Sequence, residues 1–235
     1  MKVEIWSDIM CPFCYIGKRK FETALAQFEN RDDIQTEWKS FQLMPGLKTQ
    51  ADKNLDQFLA KEKGISAEEA KSMNGQVLQM AKQAGLTYHF NKTVPANTHK
   101  AHELIHFAKD QGKQGEAEEL LFRSYFTDGK NVDDIPTLIQ LGKEIGLEEA
   151  ALKAALENGT YVNRVNEDIN EAHQLNVRGV PFFVFNRKYA ISGAQEAGAF
   201  LKTLEKSFNE WRKDNPETAF EIINGKVCTP GAQCD

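Results

Sequence analysis

The chain has 235 residues, 41% hydrophobic and 27% charged, which excludes a disordered or collagen-like polymer and leaves enough apolar side chain to bury a core without staples. Its 34 acidic and 29 basic side chains give a formal charge of -5 with no Lys/Arg run, so nucleic acid and anionic membranes have no electrostatic reason to bind. At about 150 residues per domain, the length predicts one large domain or one domain carrying an insertion.

Charges interrupt every apolar pair from Met1 to Met10, so no signal-peptide core is visible, and no stretch approaches the ~20 apolar residues of a membrane span. The expectation is a cytoplasmic, monomeric protein. In a reducing compartment cysteines persist for chemistry or metal more often than for stapling.

Lys2 to Trp6 is β-leaning, with Val3 and Ile5 on one face by the two-residue period. Cys11-Pro12-Phe13-Cys14 follows, then Phe21, Ala24, Leu25 and Phe28 at helical spacing, predicting a helix that ends near Asn30. Ile34 to Phe41 alternates again, so the opening spells β-α-β, and a parallel pair with a right-handed crossover is the natural arrangement. From there the pattern is helical for more than a hundred residues. Ser66 caps a helix with Met73, Val77, Met80 and Ala84 as its apolar stripe, and Asn97 caps one with Ala101, Leu104, Ile105 and Ala108. Further helices are expected over Glu116 to Phe126, from Ile135-Pro136, over Glu148 to Glu157, and after a Thr160 cap. β patterning returns with Phe182 to Phe185, a turn at Asn186-Arg187, and Lys188 to Ile191, which reads as a hairpin. A last helix carries Phe200, Leu204, Phe208 and Trp211. The five Met residues read as core filler.

Cys11-x-x-Cys14 sits where a strand ends and a helix begins. A helix N-terminus presents unpaired N–H groups and about half a positive charge, and Pro12 fills the first helical position without wasting a donor. The dipole contributes about 0.3 to 2 kcal/mol to a thiolate, so direct N–H to sulfur bonds must supply any larger effect. Cys11 is then the attacking thiolate and Cys14, one turn inward, the resolving thiol. Two other readings compete: a buried pair without chemistry, and a four-thiolate zinc site completed by Cys228 and Cys234. Asp8, three residues before Cys11, either accepts a proton near Cys14 or caps the turn.

Pro181 precedes an apolar strand, cannot donate to a ladder, and makes Val180-Pro181 a candidate cis bond. The Val180 backbone is then free to pair with an extended peptide. His102 and His106 lie on one face of the helix after Asn97, and polar packing is preferred there to a metal pair.

With these residues in view, the chain resembles the DsbA family of thiol-disulfide oxidoreductases, in particular its FrnE-type branch. The resemblance rests on Ser7-Asp8-Ile-Met-Cys11-Pro-Phe-Cys14-Tyr-Ile-Gly17, Asn97-Thr98 with Ala101-His102, Gly179-Val180-Pro181-Phe-Phe-Val184, and Ser192-Gly-Ala-Gln195, spread over about 210 residues. It implies an α/β thioredoxin-like fold with a large all-helical insertion: residues 1–48 and 160–213 form the thioredoxin-like part, 49–159 the insertion, and 214–235 a tail. It also implies Cys11 as nucleophile, Cys14 as resolving thiol and Pro181 as the cis-proline. Pro12, Phe13, Val180 and His102 are the expected substrate-contacting residues, His102 lining the cleft. Partners would be thiol- or disulfide-bearing proteins or peptides, with no dissociable cofactor and glutathione as a conceivable co-substrate.

The periplasmic DsbA proteins carry a His between the cysteines and a signal peptide; Pro12-Phe13 stands here instead, which leaves the direction of electron flow open. The sequence also resembles glutathione-dependent 2-hydroxychromene-2-carboxylate isomerases and kappa-class transferases, which use a Ser at the position of Cys11. In the tail, Pro230-Gly231 favours a turn that brings Cys228 and Cys234 together, either as a second redox pair exchanging with Cys11-Cys14 or as a clip.

Overall fold

The computed structural model describes residues 1–216. Strand β1 (Lys2–Ser7) pairs in parallel with β2 (Gln35–Ser40), with Val3 opposite Thr36 and Ile5 opposite Trp38. Helix α1 (Pro12–Gln27) and a 3-10 turn at Arg31–Asp33 make the crossover.

After β2 come α2 (Leu55–Lys63), α3 (Ala67–Gln83), α4 (His99–Lys109), α5 (Gln114–Arg123), a π-helical turn at Ser124–Asp128, α6 (Ile135–Glu144), α7 (Glu149–Asn158) and α8 (Val162–Gln174). No strand lies between Ser40 and Phe182. The chain then returns as β3 (Phe182–Phe185), antiparallel to β1, and β4 (Tyr189–Ser192), antiparallel to β3. The sheet order is β2-β1-β3-β4, and α9 (Ala197–Asp214) packs against α1. The hairpin turns through Asn186 and Arg187, at φ 49° and 55°. These conformations suit a tight two-stranded turn, and Arg187 is held there by ion pairs to Glu4 and Glu171.

Several local expectations shift by a residue for identifiable reasons. The cap before α4 is Thr98, because Asn97 turns its Oδ1 onto the His99 N–H (2.9 Å) while its Nδ2 donates to the Pro45 and Leu47 carbonyls. Thr160 does not cap α8. Its N–H closes the end of α7 onto the Ala155 carbonyl, past Gly159 at φ 63°, and Tyr161 takes the cap position. On α3 the buried face runs through Ala70, Asn74 and Ala81, whereas Met73 and Met80 are exposed. Asn74 donates to Asp56 of α2 at 2.5 Å, and this polar contact turns the helix away from its methionine stripe. The methionines are therefore not general core filler: Met1 alone of the five is fully buried.

Helix α1 is shared by two cores. Phe21, Ala24 and Phe28 pack with Val3, Ile5, Phe183, Phe185, Phe200 and Phe208 between sheet and α9. Cys11, Cys14, Tyr15 and Ile16, on the first turns, belong to the core of the helical segment together with Leu104, Leu121, Phe122 and Phe126. The edge of β2 is covered by side chains. Gln114 of α5 accepts from the Trp38 N–H and donates to its carbonyl, and Asp168 of α8 accepts from the Ser40 N–H, which removes a free edge for intermolecular pairing. The result is a thioredoxin-like α/β sheet interrupted by a helical insertion. Among the described residues no helix is long and apolar enough to cross a membrane.

Candidate active site

Cys11 occupies the N-cap of α1 in extended conformation (φ -88°, ψ 110°), Pro12 follows at the first helical position, and Cys14 lies one turn in. The Cys11 N–H bonds the Asp8 carbonyl (2.9 Å) and the Cys14 N–H the Cys11 carbonyl (3.0 Å), which holds the two sulfurs on one side of the turn. Both are free thiols and both are buried, at 4% and 1% exposure. Burial pushes the Cys14 thiol up, the adjacent Cys11 sulfur adds to the effect, and the Asp8 backbone and Ser7 hydroxyl oppose it.

The Cys11 sulfur makes no capping bond to the helix N–H groups, contrary to expectation; it lies 3.5 Å from the Val180 carbonyl oxygen. The sulfur is thus directed to a carbonyl and not to the helix amides. The Val180-Pro181 bond is cis, and the loop carrying it is brought onto α1 at Gly17. Pro181 is buried, Pro12 and Val180 are partly exposed, and Phe13 projects outward at 38% exposure. Exposed Leu43 and partly buried Met10 follow the strand ends on either side of the motif.

The helical segment grips α1 from the other side. The Tyr88 hydroxyl donates to the Pro12 carbonyl at 2.8 Å. Tyr88 stacks on Phe126 and Tyr15, and Tyr15 on Phe122, with centroid separations of 4.6, 6.1 and 5.0 Å. The Tyr15 hydroxyl donates to Glu119, which also receives Lys18 and Arg19. Burial works against ionisation of Glu119, yet Arg19 and Lys18 hold its carboxyl down to about 2. This polar clamp fixes the outer flank of the motif.

Beneath the cysteines is a second polar group, fully enclosed. Asp8, 0% exposed, accepts from the Leu43 N–H at 2.7 Å, and its other oxygen faces His102 Nε2 at 3.5 Å. Asp8 therefore ties the loop after β2 to the end of β1. His102 is 1% exposed and does not line the cleft; it packs under the motif, because the face of α4 that carries it is turned to the core. His106 points elsewhere, to Ser40 and Asp168. Ser7 donates to Glu118 at 2.9 Å, and burial pushes the Glu118 carboxyl up to about 7, against the opposing effects of His102, the Ser7 hydroxyl and Lys18.

Ser7, Tyr88 and Glu118 were not singled out by the sequence reading. Glu118 carried a usable signal: with Gln114, Leu121 and Tyr125 it falls at helical spacing on the face that Ala117 and Phe122 flank. Cys228 and Cys234, proposed as a second pair or as two zinc ligands, lie outside the described residues.

Residues 2–205 match the model of the DSBA-like thioredoxin domain. The Bacillus subtilis (strain 168) protein YwbO is 29% identical over 204 residues, covering 86% of this chain and 94% of that one. A Streptomyces coelicolor structure described as a "probable DsbA oxidoreductase" is 34% identical and superposes with a TM-score of 0.83, covering 100% of this chain and 98% of its own. A 2-hydroxychromene-2-carboxylate isomerase structure shares the fold at 15% identity and a TM-score of 0.64, covering 93% and 100% of the two chains. With the family model spanning nearly the whole described chain, and the paired cysteines at a strand-to-helix junction, the protein belongs to the DsbA-like thioredoxin-domain family of thiol-disulfide oxidoreductases.

Proposed function

We propose that the protein exchanges disulfides with thiol- or disulfide-bearing proteins or peptides through Cys11 and Cys14. The observation that carries this reading is the asymmetry of the pair. Cys11 sits at the helix N-terminus beside the Val180 carbonyl, next to exposed Phe13, whereas Cys14 is enclosed behind it with its thiol pushed up by burial. Cys11 is thus the outer sulfur of the pair, on the side of Phe13, and Cys14 the inner one.

In the reducing direction the Cys11 thiolate attacks one sulfur of a substrate disulfide and expels the other as thiolate. Cys14, losing its proton, then attacks the Cys11 sulfur and releases the second substrate thiol. The substrate gains two electrons, and the pair is left as a disulfide. In the oxidising direction a substrate dithiol reverses both steps. The Val180 backbone would hold an extended substrate segment by main-chain bonds, with the Pro12 and Phe13 side chains beside it.

Replacing Cys14 by Ser should trap mixed disulfides at Cys11 on a non-reducing gel, and replacing Cys11 by Ser should prevent them from forming. Equal insulin-reducing activity in both variants and the wild type would remove the assignment. Equilibration against graded glutathione buffers then gives the preferred direction, and a glutathione conjugation assay separates this chemistry from the isomerase or transferase type.

A further inference from the structure

Arg19, Arg31, Arg123, Arg164, Arg187 and Arg212 each meet a carboxylate of the protein itself. Arg178 does not: it is exposed and, among the described residues, has neither an ion pair nor a side-chain hydrogen bond. It stands two residues before Val180, whose carbonyl oxygen is 3.5 Å from the Cys11 sulfur. The one uncommitted arginine of the described chain is therefore on the loop that faces the nucleophile.

That loop is fixed at both ends. The Val177 N–H closes the end of α8 on the Ala172 carbonyl at 2.8 Å, and the Val177 side chain is buried with Trp6 and Phe41. On the far side the Pro181 carbonyl accepts from the Gly193 N–H at 2.8 Å. Between these anchors the N–H groups of Arg178, Gly179 and Val180 have no hydrogen-bond partner among the described residues. A β-carbon built on Gly179 would meet nothing within 4 Å, so the loop is open there. Unpaired main chain held at both ends is an edge on which an extended segment can lie.

In such a pairing, residues two apart share a face, and residues directly opposite stand about 4.5–5.5 Å apart at their β-carbons. A substrate cysteine joined to Cys11 lies across from Val180, so the substrate residue two positions along lies across from Arg178. A guanidinium offers a planar fork of donors that matches a carboxylate, and here it has no internal partner to give up. The chain's formal charge of -5 repels acidic segments in general, which makes a local cation at this point selective for where they bind.

We propose, resting on the redox reading above, that Arg178 is a specificity-determining residue that selects substrates carrying Asp or Glu two residues from the reactive cysteine. The chemistry of the attack is untouched. Cys11 bonds the substrate sulfur, the other sulfur leaves as thiolate, and Arg178 holds the substrate carboxylate meanwhile.

The test uses the full-length chain with Cys14, Cys228 and Cys234 changed to Ser, which leaves Cys11 as the reacting thiol. Short peptides carry one central cysteine as its mixed disulfide with 5-thio-2-nitrobenzoate. Attack by Cys11 forms the Cys11–peptide bond, breaks the peptide–thionitrobenzoate bond and releases the chromophore. The peptides bear Asp, Asn or Lys two positions before or after the cysteine, and each rate is divided by that of the same peptide with N-acetylcysteine. At about 20 mM salt the Asp peptide should react about three- to five-fold faster than the Asn peptide at one of the two positions, an advantage that fades near about 0.5 M salt. The position that responds reports the direction in which the segment lies.

Arg178→Gln should bring the Asp-to-Asn ratio to about one, Arg178→Lys should keep part of it, and Arg178→Glu should turn the preference to Lys. A merely structural arginine would change all three peptides alike. A wild-type ratio of about one, or a ratio that persists in Arg178→Gln, would overturn the assignment. So would a dependence on Arg178 confined to the glutathione mixed disulfide and absent from the Asp peptides. A Cys11 that reacts with no peptide faster than N-acetylcysteine does would instead remove the redox reading beneath it.

Discussion

A β-carbon added to Gly17 would lie 3.0 Å from Pro181 Cγ, so the helix bearing the cysteines and the loop bearing the proline meet with no room for a methyl group. Phe183 Cζ and Ala194 Cβ would stand at 3.4 and 3.5 Å on the other sides, and the proline ring cannot yield without moving the Val180 carbonyl beside Cys11. Overpacking at such a contact costs about 1–3 kcal/mol. Gly17→Ala should lower the urea midpoint by a corresponding amount and reduce insulin-reducing activity further than the loss of folded protein explains. Wild-type activity with wild-type stability would show that the two segments move apart freely.

The buried Glu118 carboxyl makes stability pH-dependent in a direction opposite to that of most carboxylates. Its proton is held to about 7 in the folded chain against an ordinary value of 4.5, so the folded state binds more protons between those values. Wild-type stability should therefore fall as pH rises from about 4.5 through about 7, by on the order of 3 kcal/mol from this group. Gln resembles the protonated acid and can still accept from Ser7. Glu118→Gln should thus gain stability over the wild type at pH 8 relative to pH 4, measured by urea unfolding at both. Parallel behaviour at the two pH values would contradict the burial argument.

Asp168 is the hub that locks α8 and α4 to the edge of β2: Lys39 reaches one oxygen at 2.5 Å, and the Ser40 N–H and His106 Nε2 reach the other at 2.9 and 3.2 Å. Burial opposes its ionisation, but His106, Lys39 and the Ser40 N–H together hold the carboxyl below its usual range. Such a group stabilises the fold above its unfolded value and loses that contribution as the pH falls below about 4. Asp168→Ala leaves Lys39 and His106 without their shared partner and should cost about 3–5 kcal/mol. Asp168→Asn, which keeps an acceptor for the Ser40 N–H, should cost less, and equal chemical-denaturation midpoints for the two variants would argue against the hub.

Tyr88→Phe removes the hydroxyl that holds the Pro12 carbonyl and leaves the stacked ring in place. The carbonyl keeps its place in the helix, so the lost hydroxyl bond should cost about 0.5–1.5 kcal/mol. The loosened first turn should also show as faster alkylation of Cys11 by iodoacetamide. Unchanged alkylation together with unchanged stability would leave the tyrosine as packing alone.

Much of the framework was legible one segment at a time. The alternation of Val3 and Ile5, and the Phe182 to Phe185 run with its Asn186-Arg187 turn, announced the strands, because a strand with one buried face must repeat every second residue. The Cys11-Pro-Phe-Cys14 run at the end of that first strand located the candidate site, since a proline at the first helical position and a β-to-helix junction are both local features.

Long-range meetings were not legible. The α3 stripe was misplaced because Asn74, a polar residue, takes a core position through Asp56 of another helix. His102 read as a cleft residue and is buried under the motif instead, since which neighbour covers a helix face is decided only when the helices pack. Glu118 illustrates the division most directly. Its helical spacing already placed it on an apolar face, but its partner Ser7 lies 111 residues away in sequence, on a strand. Periodicity tells which face of an element is buried, because burial follows the repeat of that element; which two buried groups meet is settled by chain closure, and no local pattern records it.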